Sequence, residues 1–373
     1  MASNNTLGLI FSNMHDDNLR EITGHRTMGS VPFGARYRLI DLALSNFINS
    51  DVTNIGVIAR TNYQSLLDHL GSGKDWDLAR KHGGLTILPP YGHSGYGVYS
   101  GRVEALYSVL DYVEQNKAKY VVLSDCDCVC SIDFESVLEQ HVERDAELTM
   151  IYTDLPNRPL PAGSLYPVFD ADGRMVELRT QPRGLHGEGA IGMNMYIVNR
   201  EVLLEIVRDL QARSLFSFDR DFLQANLSRL RMFGYHFTGY TGFIADRVSY
   251  FAANMDNLRP VVRRELYSSR RPVYTRILDE APVIYGLGSS VKNSFIADGC
   301  FIDGAVENCV IFRGVHIGKG CRISNCILMQ GARIAEDTTL SYVILDKDVT
   351  VGASRSLQGY HTYPVYIAKG SRV

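Results

Sequence analysis

From residue 283 to residue 373 the chain repeats itself. The segments Lys292–Gly299, Glu307–Gly314, Ser324–Gly331 and Leu340–Lys347 align. Asn293, Asn308, Asn325 and Ser341 take matching places, 15 to 17 residues apart. Within a unit, apolar residues recur at steps of five or six, as in Ile317 and Ile323, Ile334 and Leu340, and Leu345 and Val351. A hairpin strand would repeat every two residues and a helix every 3.6, so neither accounts for the spacing. Six-residue steps with Gly or Asp-Gly at corners are the pattern of a hexapeptide left-handed parallel β-helix. Each coil of such a solenoid buries its apolar residues only against the next coil. Cys300, Cys309, Cys321 and Cys326 fall on its positions and read as small core fillers, and His316 as an exposed structural side chain.

Residues 1–257 follow another pattern. Leu7–Phe11, Asn54–Ala59, Tyr120–Ser124, Leu148–Tyr152 and Met195–Val198 read as buried strands. Amphipathic stretches lie between them at Tyr63–Leu70, Gly101–Gln115 and Asp133–Arg144. This alternation predicts an α/β domain with a mostly parallel sheet covered by helices. Its ligands should bind beyond the carboxyl ends of the strands. Residues 258–282 carry Arg259, Arg263, Arg264, Arg270, Arg271 and Arg276 among three prolines and read as a basic linker, a solvated hinge or, as the alternative, a site for an anionic effector. The 373 residues thus divide into two domains and a linker.

Lys+Arg is 38 against Asp+Glu 41, a net charge of −3, which excludes a protein that coats nucleic acid through general basicity. No apolar run reaches the ~18 residues of a membrane span, and the first residues carry no basic-then-apolar leader. Seven cysteines fit reduced thiols in a cytoplasmic protein. Cys126, Cys128 and Cys130 alternate along one stretch but lack the separated pairs of a zinc site. The histidines outside the repeat, among them His15, His25, His69, His82, His93 and His361, form no Ser/His/Asp or His-x-x-x-His pattern.

The stretch Val31-Pro-Phe-Gly-Ala-Arg-Tyr-Arg-Leu-Ile-Asp-Leu-Ala-Leu-Ser-Asn-Phe-Ile-Asn-Ser carries a specific resemblance. It resembles the glucose-1-phosphate adenylyltransferases (ADP-glucose pyrophosphorylases) of bacteria, and the order of parts agrees. The resemblance implies a nucleotidyltransferase-like domain before the β-helix. It also implies ATP, glucose-1-phosphate and Mg²⁺ as the reactants and cofactor of the family. Such chemistry needs cations on phosphates and carboxylates on metal.

Those groups are where the chain departs from the family. The phosphate loop Ala-Gly-Gly-x-Gly-x-Arg-Leu reads Ser12-Asn13-Met14-His15-Asp16-Asp17-Asn18-Leu19 here, so Asn13 and Met14 replace the paired glycines and Asn18 the arginine. Asp16 and Asp17 add negative charge where a polyphosphate should sit. Downstream, Arg26 is retained but Met28 stands at a lysine position. Of two metal carboxylates, Asp127 is retained and the second falls at Phe243, with Asp246 three residues on. The sugar-phosphate lysine is Gln181, flanked by Arg179 and Arg183. Gly101 and Glu104 match a Gly-Thr-Ala-Asp-Ala segment of the nucleotide site. Gly92–Gly101, rich in Gly and Tyr, reads as a cover for the nucleotide pocket or a plain connection.

The losses fall on substrate-facing residues and spare the framework. The resemblance is therefore nearest to the D-type, non-catalytic subunits of Firmicute bacteria. It implies a regulatory chain that binds no cofactor tightly and assembles, as a hetero-oligomer and expectedly a tetramer, with a catalytic subunit that itself needs Mg²⁺. Small-molecule effectors fit that role; nucleic acid and membrane do not. Two alternatives stand beside it. One is an active enzyme with a site rebuilt from Arg20, Arg26, Asp127, Arg179 and Asp246. The other is a sensor of sugar phosphates or nucleotides without turnover.

Overall fold

The computed structural model describes residues 5–81, 83–90, 101–155, 163–180 and 189–373. Gln181, Arg183 and the loop up to Ser100 lie outside these. The strands Thr6–Phe11 (β1), Asn54–Ile58 (β2), Gly84–Leu88 (β3), Tyr120–Asp125 (β4), Leu148–Asp154 (β5), Ala190–Asn199 (β6) and Met232–His236 (β7) form one sheet. Their order is β7-β5-β6-β4-β1-β2-β3. Only β6 runs against its neighbours; the other pairs are parallel. β1 and β4 are buried throughout, as strands covered on both faces must be. The sequence reading lacked β3 and β7, the two edge strands. An edge strand has weaker apolar patterning because one side faces solvent.

The long sequence match at residues 31–50 becomes a short hairpin and the helix Leu39–Ile48 (α1). Asp41 accepts the Arg38 N–H at the helix start. A side chain on Gly8 of β1 would fall 2.7 Å from the Phe47 ring, so glycine lets α1 lie directly on the sheet. The stretch expected as one helix over 101–115 is two, Arg102–Ser108 (α2) and Leu110–Gln115 (α3), broken at Val109.

The linker is not a free hinge. Pro260–Leu266 is a helix (α4) whose Val262 and Leu266 are buried. Beyond it, Arg271 pairs with Asp133 at 3.2 Å. The Tyr274 N–H donates to Ser45 Oγ, and the Thr275 hydroxyl donates to Asp41 Oδ2. The linker is strapped along α1, which supplies both acceptors.

From Ile284 onward three five-stranded parallel sheets wrap a coil core. Ile302, Ile317, Ile334 and Val351 stack on one sheet, Val306, Ile323, Leu340 and Leu357 on the second, and Ile311, Leu328, Leu345 and Ile367 on the third. This is the hexapeptide β-helix, with Cys300, Cys309, Cys321 and Cys326 buried inside it. His316 is exposed and stacks on Phe301. One register differs from the sequence alignment. Ser341 pairs with Ser324, so Tyr342, and not Ser341, is the counterpart of Asn325. Asn293, Asn308, Asn325 and Tyr342 all take positive φ, from 40° to 53°. The stacking of Leu340 on Ile323 fixes this register, because a slip of one would turn the apolar residue outward.

Candidate functional site

Beyond the carboxyl ends of β1 and β4 the chain meets the bulge of β6. Four ionic groups converge there. His15 Nε2 lies 2.8 Å from Asp125 Oδ2 and 3.3 Å from Asp127 Oδ2. Arg102, from the first turn of α2, makes an ion pair with Asp125. Its guanidinium sits 4.7 Å from the Phe218 ring centre and near Phe11 and Tyr196. Asn194, held at φ 56° in the β6 bulge, donates from Nδ2 to Asp127 Oδ2 at 3.0 Å. Arg102 is 8% exposed, and Asp125 and Asp127 are 1% exposed.

The charges of this quartet balance. Burial works against the His15 imidazolium, but Asp127 and Asp125 outweigh it and raise its pKa to about 9. Burial also opposes the Asp125 charge, yet Arg102 and His15 hold its carboxyl below the usual range. Asp127 is pushed up, by burial first and by Asp125 against the pull of His15. Burial and the Asp125 carboxylate, together with Asp127, Asp16 and Asp41, push the Cys126 thiol far up, while a hydrogen bond with Cys130 and burial do so for Cys128. All seven cysteines are buried free thiols.

His15, Asp125 and Asp127 bring their ligand atoms within 4.8 Å of one another, the spacing of a metal site. The residues nonetheless do not fit Mg²⁺. That ion asks for six oxygens in near-octahedral array. Here the facing carboxylate oxygens are held by the imidazolium, Arg102 and Asn194. The two other oxygens, Asp125 Oδ1 and Asp127 Oδ1, are buried without a donor. Phe243, where the family resemblance puts the second metal carboxylate, pairs with Cys128 beside Asp127. Asp246 caps its own helix, accepting the Ser249 N–H at 2.7 Å. It does not replace the missing ligand.

The phosphate loop is occupied by its own side chains. Asn13 Oδ1 accepts the Arg60 N–H, and Asn13 Nδ2 donates to Asp16 Oδ2 and to the Thr61 carbonyl. Asp16 Oδ1 accepts the Met28 N–H at 2.7 Å. A carboxylate of the chain thus takes donors that an anionic ligand would need. Burial raises the Asp16 pKa to about 6, against the Asn13 and Met28 donors that favour its charge. Met14 is half-buried against one core cluster and Met28 is buried in the other. Asn18 lies in the short 3₁₀ turn Asp16–Leu19.

The remaining sequence candidates do not converge on the quartet. Arg26 is 3% exposed, and its Nη2 donates to both carboxylate oxygens of Asp346 in the β-helix, at 2.9 Å each. Arg20 is exposed on Asp17 and Arg179 on Glu177. Gly101 is the N-cap of α2, where its N–H donates to Glu104 Oε2 at 3.3 Å. Gln181 lies outside the described residues. Sequence reasoning passed over His15, Arg102, Asp125 and Asn194. One signal was available: Arg102 stands where the Gly-Thr-Ala-Asp-Ala segment has a small hydroxyl residue.

Residues 16–241 match the nucleotidyl transferase family, and residues 285–358 match the GlmU-like C-terminal hexapeptide family. The glycogen biosynthesis protein GlgD of Bacillus subtilis (strain 168) is 34% identical over 371 residues, covering 99% of this chain and 97% of its own. The GlgD protein of Geobacillus stearothermophilus is 33% identical, covering 85% and 82%. A glucose-1-phosphate adenylyltransferase of Thermosipho africanus is 32% identical, covering 85% and 77%. By sequence over its whole length and by the fold that carries the quartet, the chain belongs to the nucleotidyl transferase family, in the group that joins glucose-1-phosphate adenylyltransferases and GlgD proteins.

Proposed function

We propose that this chain acts in glycogen biosynthesis as a catalytically deficient, regulatory subunit beside a catalytic glucose-1-phosphate adenylyltransferase. The observation that carries the reading is the self-neutralised quartet. In the reaction of the family, phosphates and metal bring the charges that carboxylates and cations must meet. Here His15 and Arg102 already offset the charges of Asp125 and Asp127, and Asp16 already takes the Met28 N–H and the Asn13 side-chain N–H of the loop. A divalent ion and a polyphosphate would have to displace these buried ion pairs and loop hydrogen bonds. The names of the relatives support the pathway, and the intact framework supports a folded partner. The partner carries the Mg²⁺ chemistry; this chain holds no tight cofactor. Its influence runs through the subunit interface, as a shift between two states of the catalytic chain in a hetero-oligomer, a tetramer in our reading. Buried reduced thiols support a cytoplasmic setting. No helix among the described residues is long and apolar enough to cross a membrane.

The test is ADP-glucose formation by the purified chain, alone and mixed with a catalytic subunit, with the native mass of the mixture. We expect no turnover alone, a mixed oligomer, and a changed half-saturation or rate of the partner. Robust Mg²⁺-dependent turnover by the chain alone overturns the deficiency. A partner whose kinetics are unchanged overturns the regulation. The geometry does not favour the rebuilt-site alternative: Arg26 is buried on Asp346, Arg179 pairs with Glu177 and Asp246 caps its own helix.

A further inference from the structure

A cleft of about 380 Å³ opens where the turn after β7 meets α4 and the linker residues that follow it. Ser131, Phe237, Tyr240, Arg264, Arg270 and Arg271 line it. Its walls are fixed. The Tyr240 phenol donates to Asp256 Oδ2 at 3.0 Å, and its N–H donates to Glu265 Oε2 at 2.6 Å. Arg271 is anchored by Asp133 and by the Ile132 carbonyl. Arg264 and Arg270 differ from these. Both are exposed, and among the described residues neither has a carboxylate within ion-pair distance. Glu265 offsets one charge, so a positive surplus faces the cleft beside two aromatic rings.

We propose that this cleft binds a phosphate monoester of a ring compound. Guanidinium forks match phosphate oxygens bidentately, and two of them suit a dianion. Phe237 and Tyr240 offer apolar faces for a ring carried on the ester. The volume lies in the range of small-molecule sites. The site is separate from the His15 quartet and does not depend on the regulatory reading.

Calorimetric titration of the full chain with phenyl phosphate and with inorganic phosphate tests it. We expect phenyl phosphate to bind at least tenfold more tightly. Arg264→Ala with Arg270→Ala should weaken it at least tenfold. Arg322→Ala with Arg333→Ala, two exposed arginines of the β-helix, should leave it within twofold. Phe237→Ser keeps both arginines and should weaken phenyl phosphate while sparing inorganic phosphate. This variant decides the matter should the double substitution fold poorly. No binding by the native chain, equal affinity for the two probes, or equal weakening in both arginine pairs would overturn the proposal.

Discussion

Arg102 shows how one side chain changes what a site can do. It replaces a small hydroxyl residue of the family pattern and carries a buried charge to Asp125. Removing one partner of such a pair leaves the other charged and desolvated, which costs about 3–5 kcal/mol. Asp125→Ala should therefore lower unfolding stability in urea by that amount, while Asp17→Ala, on an exposed pair, changes it by less than ~1 kcal/mol. His15 adds a pH signature. It faces Asp125, Asp127, Arg102 and Asn194. Its folded pKa, about 9, lies above the ordinary 6.5. Its contribution is fully present below pH 6.5 and is lost as pH rises through about 9. The stability gap between the native chain and His15→Gln should close across that window; a gap that stays constant with pH would contradict the imidazolium. None of this was readable from His15 alone, because its partners lie 110 and 112 positions away.

At the scale of elements, the β-helix was the most legible part. Its apolar steps name the inward residues without reference to anything beyond the next coil. The corner asparagines carry a further local signal. Asn308 sits at φ 52° and accepts the Asn293 side-chain N–H at 2.7 Å. A non-glycine side chain in that region strains the backbone, and asparagine tolerates it best. Asn308→Ala should lose about 1–2 kcal/mol of stability, and Asn308→Gly less, in thermal unfolding. The Ser341 misalignment shows the limit of such reading. Segment matching weighed a polar side chain, whereas the coil obeys the stacking of Leu340. The linker failed for a related reason. Arginines and prolines looked solvated, yet Thr275 and Tyr274 find acceptors on α1 that no local pattern announces.

At the scale of the molecule, the two domains share a core. Val310, Ile327 and Ile344 point out of the β-helix and join the cluster that holds Ile40, Phe33 and Tyr250. Arg26 and Asp346 close this interface, with Tyr366 donating to Asp346 at 2.7 Å. Asp346→Ala leaves Arg26 buried without its partner and should cost about 3–5 kcal/mol. Calorimetry should then show the α/β domain and β-helix melting apart, where the native chain melts as one. The sequence by itself determined the two folds and their order, and its departures from the family pattern at the phosphate and metal positions, since each is written in local spacing or in single residue types. Only the tertiary structure decided what replaced those groups. It also decided that Arg26 serves the domain interface and that the linker is bound. Those outcomes are contacts between residues distant in the chain, and their energy depends on burial and mutual charge, which no local pattern records.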